Sequence, residues 1–459
     1  MNRPVRGLEH TMVALGDAMG PDLIVGRVVG RIPPEVLRQA ALDVVARHPA
    51  LRSRRVGDRW VTLDPDQARI PFHVRGNEGA AGDRRAAWER VVESELRWPL
   101  DLEAGQPLRV VQVPEPGGCA IVLACHHAVV DGTSLYRVLH EVLVAVAARL
   151  DGRSPELPAL EPCPAALDRV PAPAPVRWFA PVLRRLWASD VLAHQRDPAV
   201  PPDGAGPIHS IVAFRRGTRA GLRRLTAATH LRRVTVGQLG LAATAFALAT
   251  YRAEVRGDGV GPRSRASIPL DLEVDLRRHA RPPIADEGVG LYTSGLRVHA
   301  AIDGGSTLWD VAQDLGRQVN RAMRWGLHTA THAVMDGADP RELLDRAGCD
   351  PTAPGTPVNV SNVGRYPFPV DHGPVVLRDV YGLNGAVPRG APLLIWLRGL
   401  PDGLCYNAVG MAPYVSRATL EHLLDQVVSR CENPPEAGLT WADTARAPAL
   451  TPRSRGSHG

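Results

Sequence analysis

The chain has 459 residues, 44% hydrophobic and 22% charged, which at about 150 residues per domain implies two or three domains and excludes a single small domain or a disordered chain. All 54 basic side chains are arginine; without a lysine, neither a Schiff-base pyridoxal enzyme nor a Walker-type nucleotide site is possible. The net charge of +6 predicts a basic surface drawn to acidic partners, but its arginines are scattered in pairs such as Arg54-Arg55 and Arg84-Arg85 without aromatic interleaving, which argues against nucleic acid.

In chain order, the first residues lack the apolar stretch and cleavage site of a signal peptide, so export is not expected. Residues 22–32 read as a strand. Residues 33–48 read as a proline-started helix, with Val36, Leu37, Ala40, Ala41, Val44 and Val45 at helical spacing. A helix at 84–97, strands at 107–113 and 119–125, and a helix from about 133 to 150 complete an N-terminal subdomain, 1–150. Residues 151–175 are proline-rich and predict an extended crossover linker.

The second subdomain, 176–445, is predicted to hold a strand near 208–215, helices at 217–229 and 235–251, a strand at 264–270 and a helix near 306–323. It closes with strands at 375–381, 391–398 and 403–409, the last two joined at Pro401-Asp402-Gly403, and a helix at 416–430. Residues 446–459 predict a disordered tail. The uncharged run from Val234 to Tyr251 has the length of a membrane span, but its threonines, glycines and glutamine, with Thr235 as N-cap, favour a buried helix and no span. Six cysteines (Cys119, Cys125, Cys163, Cys349, Cys405, Cys431) show no paired or zinc spacing, so reduced thiols in a cytoplasm and no structural metal are expected. The excess of alanine, glycine and proline points to a GC-rich, bacterial coding sequence.

The chemistry concentrates in IVLACHHAVVDGTSLYRVLHEVL, residues 121–143. The run Ile121 to Cys125 describes a strand buried on both faces, and it ends in two histidines. If the strand continues, His126 and His127 point to opposite faces and serve different purposes, one acting on substrate and the other held in the structure. That geometry weighs against a metal site built from His126, His127, Asp131 and His140. Asp131 or Thr133 can cap the following helix. Cys125 shares a strand face with His127, so a Cys-His acyl-enzyme is conceivable, although a small apolar residue closing a buried strand is the plainer reading. No G-x-S-x-G elbow supports a serine hydrolase.

The ordered set HHAVVDG, residues 126–132, followed by a helix, resembles the signature of the chloramphenicol acetyltransferase-like superfamily. That group includes condensation domains of nonribosomal peptide synthetases and polyketide-associated acyltransferases. RHPALRSR (47–54), PLDLEAGQPLRVVQV (99–113), HLRRVTVGQLGLAATAFALATYR (230–252) and VNVSNVGRY (358–366) are similar to other segments of the family, the last to its ester-forming branch. The resemblance implies an α/β fold of two similar subdomains, each a mixed sheet flanked by helices, set as a V around a central tunnel. It implies His127 as the general base, with His126 and Gly132 supporting it. It also makes Asp131 a structural partner of an arginine of the second half. That arginine lies in residues 267–284, where Glu273 occupies one candidate position and Arg277, which we favour, the other. Ser361 and Asn362 become candidate substrate-side residues.

A thioester is an activated donor, so the enzyme has only to orient an alcohol or amine and remove its proton, a task suited to histidine. Backbone N–H groups near Gly132 are candidates to stabilise the thioester oxygen. The expected enzyme is a stand-alone, monomeric acyltransferase with no bound cofactor. A phosphopantetheine thioester, on coenzyme A or an acyl carrier protein, would be its co-substrate, with a small alcohol or amine as acceptor. Ester formation is favoured over amide condensation, and an inactive carrier-docking module is the alternative from another class.

Overall fold

The computed structural model describes residues 2–76, 85–170, 172–198, 200–204, 206–385 and 389–446. Apolar strands and amphipathic helices collect into two layered α/β halves, each built on a mixed sheet with its own core. The five strands of the N-terminal sheet run in the order Val376–Asn384, Asp22–Val29, Gly118–Cys125, Leu108–Glu115, Phe72–Val74. Asp22–Val29 and Gly118–Cys125 are antiparallel, and Asp22 stands opposite Cys125. Helix Gly132–Leu150 leaves the end of this strand pair. Its Leu135, Val138, Leu139, Val142, Leu143 and Val146 are buried, and it packs on helix Pro34–Arg47, whose Leu37, Ala40, Ala41, Val44 and Val45 form the facing stripe.

The C-terminal sheet has six strands: Thr293–Asp303, Arg265–Asp275, Val358–Arg365, Leu393–Leu400, Gly403–Ala412 and His209–Arg216. Leu400 pairs with Gly403 across a two-residue turn. Helix Val236–Arg256 contains most of the uncharged run and is buried from Leu239 to Tyr251 against helices Leu308–Arg324 and Arg417–Glu432. Thr235 and Gln238 close its N-terminus as a capping box. Among the described residues no single helix is long and apolar enough to cross a membrane.

The structure corrects the sequence reading in several places, unpredicted strands such as Phe72–Val74 among them. Strand Val376–Asn384 does not stay with the range 176–445; it crosses to the N-terminal sheet and pairs with Asp22–Val29, covering an edge that would otherwise leave a row of unpaired backbone groups. The linker is extended only to about residue 165, because helices Ala166–Arg169 and Ala174–Arg196 begin inside 151–175; a proline in the first turn forfeits no helical hydrogen bond. An unforeseen strand, Thr293–Asp303, pairs along its whole length with Arg265–Asp275. The predicted helix at 84–97 is observed as Ala87–Glu95; its first residue, Arg84, lies outside the described residues, as does the tail from residue 447 onward.

Candidate active site

Strand Gly118–Cys125 ends at Cys125, so His126 and His127 sit in the loop before the helix. They nevertheless separate. His126 lines a cavity of about 350 Å³ with Arg55, Leu100 and Asp101, and its Nδ1 accepts from the Ala128 N–H at 3.1 Å. Burial, with His127 and Arg55 nearby, pushes its imidazole down to about 4, so it is neutral at pH 7.

His127 turns to the neighbouring strand. Its Nδ1 lies 2.7 Å from Asp22 Oδ2 and 2.9 Å from the Val130 carbonyl oxygen. Both are acceptors, so Nδ1 carries the hydrogen and the neutral imidazole presents its lone pair at Nε2. Burial opposes the charge of both partners, but the Asp22 carboxylate outweighs it at His127 and pushes the imidazole up to about 9. Nε2 has no hydrogen-bond partner among the described residues, and the side chain keeps 9% of its surface accessible.

Asp131 braces this loop from both halves. Its Oδ1 accepts from the Ser134 N–H at 2.8 Å, capping the helix. Arg277, from the second half, donates Nη1 to Oδ2 at 2.9 Å and Nη2 to Oδ1 at 3.0 Å, a bidentate pair. The Tyr292 N–H donates to Oδ2 at 2.8 Å, and Ser134 Oγ joins Arg277 to the Gly290 backbone. Burial alone would raise the Asp131 carboxyl; Arg277 outweighs it and holds the group below the usual carboxylate range. Gly132 opens the helix where the halves meet, and a Cβ there would stand 3.1 Å from the Trp396 ring.

A cleft of about 550 Å³ between the halves is lined by Asp131, Gly132, Tyr136, Glu273, Arg277, Ser361, Asn362 and Arg398, among others. Ser361 Oγ donates to Glu273 Oε2 at 3.1 Å, and Asn362 Oδ1 accepts from the Gly364 N–H at 3.1 Å. Burial pushes the Glu273 carboxyl up, opposed by the charge of His127. Glu273 is therefore a wall of the cleft, while Arg277 holds Asp131.

Cys125 is enclosed by the core, and burial followed by the nearby Asp22 charge raises its thiol well above the ordinary value, which suppresses the thiolate a nucleophile needs. The four groups of the metal alternative do not converge. His126 faces its own cavity, His127 pairs with Asp22, Asp131 with Arg277, and His140 stacks on Phe368 at 4.4 Å. Sequence reasoning missed Asp22. Its one signal was a carboxylate at the head of an otherwise apolar strand, beside the strand that carries the histidines.

Residues 23–162 match the family model of the condensation domain, and residues 216–393 that of the C-terminus of phthiocerol/phthiodiolone dimycocerosyl transferase. Over 174 residues the chain is 30% identical to a probable nonribosomal peptide synthetase of Salinispora arenicola, covering 37% of this chain and 2% of that protein. The chain thus spans only a small part of the curated relatives it matches. Among solved structures it resembles trichothecene 15-O-acetyltransferase from Fusarium sporotrichioides (TM-score 0.70, 14% identity, 94% of each chain). It also resembles polyketide synthase associated protein 5 from Mycobacterium tuberculosis (TM-score 0.64, 17% identity, 94% of this chain and 99% of that one). A third likeness is to the starter condensation domain of rhizomide synthetase, solved with C8-CoA (TM-score 0.61, 15% identity, 94% of each chain). These structural likenesses establish the fold. The matched models thus fall one in each half, a condensation domain in the first and an acyltransferase C-terminus in the second.

Proposed function

We propose that the protein transfers an acyl group from a phosphopantetheine thioester, on coenzyme A or a carrier protein, to a hydroxyl, forming an ester. The observation that carries this reading is His127, whose Nδ1 is engaged by Asp22 and Val130 while Nε2 has no protein partner among the described residues. Nε2 takes the hydroxyl proton as the oxygen attacks the thioester carbonyl. The C–S bond then breaks, and the departing thiolate recovers the proton from the imidazolium. First-turn N–H groups at Gly132 and Thr133, which have no intrahelical acceptor, meet the charge developing on the carbonyl oxygen. The Asp131–Arg277 pair holds the loop rather than touching substrate. Ser361 and Asn362, with Glu273, form the substrate-side wall.

The Ser-Asn-Val-Gly strand segment and the match of residues 216–393 favour the ester. The condensation-domain match of residues 23–162 supports a second reading, amide formation with an amine acceptor. Incubation with octanoyl-coenzyme A or acyl carrier protein and panels of alcohols and amines, followed by mass spectrometry, separates the two. An ester product absent with His127→Ala supports the first reading. Products from amines alone move the protein to the second, and no transfer to any acceptor leaves a carrier-docking role.

A further inference from the structure

Helix Ala174–Arg196 buries only Ala180, Ala188 and Val191 completely. Its opposite face carries Trp178, Phe179, Val182 and Leu186, all exposed, with Trp178 at 81%. Large apolar side chains scattered singly on a surface are ordinary, whereas four on one helix face form a patch that marks an interaction site.

A second segment extends the patch. Trp325, 73% exposed, and Leu327 follow the end of helix Leu308–Arg324, and a Cβ on the intervening Gly326 would lie 3.2 Å from the Pro173 ring, just before the first helix. Arg184 fixes the first helix to the chain that follows this segment, donating from Nε to the Val334 carbonyl at 2.5 Å and from Nη2 to the Asp336 carbonyl at 2.7 Å.

Within residues 169–189 and 315–335 the charged side chains are all basic, with no aspartate or glutamate. Arg177, Arg185, Arg321 and Arg324 are exposed and have no acidic partner among the described residues. Two tryptophans, a phenylalanine and aliphatic side chains rimmed by unneutralised arginine have the composition of a helix that lies in the interface of an anionic bilayer. Indole in particular prefers the headgroup level. A protein partner that bound through opposite charge would satisfy the arginines but would gain less from so many exposed rings.

We infer that this face seats the protein peripherally on an anionic lipid surface, without spanning it. The patch also adjoins the cleft. His328, next to Leu327, lies 3.2 Å from His279 between ring nitrogens, and the adjoining Arg278 lines the cleft. Seating therefore brings the cleft rim to the bilayer, where an apolar substrate is concentrated.

The test is co-sedimentation of the full chain with phosphatidylcholine vesicles, with and without phosphatidylglycerol, at low and high salt; it requires no catalysis. The wild type is expected to bind the anionic vesicles, and less well as salt rises. The variant Trp178→Ser/Phe179→Ser/Trp325→Ser and the variant Arg177→Gln/Arg185→Gln/Arg321→Gln/Arg324→Gln should each lose at least about tenfold in partitioning. Their melting should match wild type, because every altered side chain is exposed. Wild type that stays in the supernatant with all vesicles overturns the inference, as do variants that bind undiminished. Ultracentrifugation in which the aromatic variant turns a dimer into a monomer, with no vesicle binding by wild type, would assign the face to self-association. Loss of carrier-protein binding in the arginine variant, again without vesicle binding, would assign it to a carrier.

Discussion

His126 and His127 are neighbours in the chain but face two different regions of the N-terminal half. His126 stays with the N-terminal half, in a cavity shared with Arg55, where burial and positive neighbours push it down to about 4. His127 turns to strand Asp22–Val29 of the same half, and Asp22 pushes it up to about 9 despite its burial. The same residue type is thus a neutral hydrogen-bond acceptor at one position and a strong base at the next. The carboxylate of Asp22, which only His127 contacts, makes the difference.

The sharpest way to break this comparison is to delete each histidine in turn. His127→Ala should lower kcat about 10²- to 10⁴-fold with little change in melting, whereas His126→Ala should keep most of the turnover. The reverse pattern in steady-state kinetics would exchange their roles.

The next largest effect is on stability. Asp131 and Arg277 are a buried pair, and removing one partner leaves an uncompensated charge, so Asp131→Ala should cost about 3–5 kcal/mol. In chemical denaturation, Asp131→Ala and Arg277→Ala should combine to less than the sum of their separate effects. Additive losses would separate the two residues. An Asp131→Ala variant that stayed stable but inactive would place the carboxylate in the chemistry.

The pH profile probes Asp22. With His127 as the proposed base, which acts deprotonated, kcat/KM should rise with pH and level off only above about 9. Asp22→Asn removes the charge that stabilises the imidazolium and leaves burial to oppose it. The rising limb should then move down towards or below the ordinary histidine value of about 6.5. A limb that stays in place after this change would remove Asp22 from the positioning of His127.

The smallest expected effect is that of Cys125→Ala. Its thiol is raised far from ionisation, so activity should be nearly unchanged, and intact-protein mass spectrometry after exposure to acyl donor should show no adduct. A stoichiometric adduct lost in the variant would replace direct transfer with a covalent route.

Much of this site was legible in local sequence. The apolar run to Cys125, the paired histidines, the Asp131 cap and the helix that follows are encoded by neighbouring residues, because burial period and capping act over a few positions. The capping box at Thr235 was half visible for the same reason, the hydroxyl being foreseen and its partner Gln238 not. Arg277 could be named before its contact with Asp131 was seen, though only through resemblance, since 146 positions separate the two.

Other features depended on which strands become neighbours. Asp22 acts on His127 because strand Asp22–Val29 pairs with Gly118–Cys125 in a register that sets Asp22 opposite Cys125; a shift of one residue would turn the carboxylate to the other face. The crossing of Val376–Asn384 to the first sheet reflects the need to cover an edge, which local sequence does not express. Glu273 reads as a misplaced arginine in the chain and as a cleft wall in the fold, where Ser361 reaches it from the adjoining strand. Composition and periodicity determined the elements and the chemistry available to this protein. Sheet order and register decided which histidine received a carboxylate, because side chains far apart in the chain interact only after the backbone has paired.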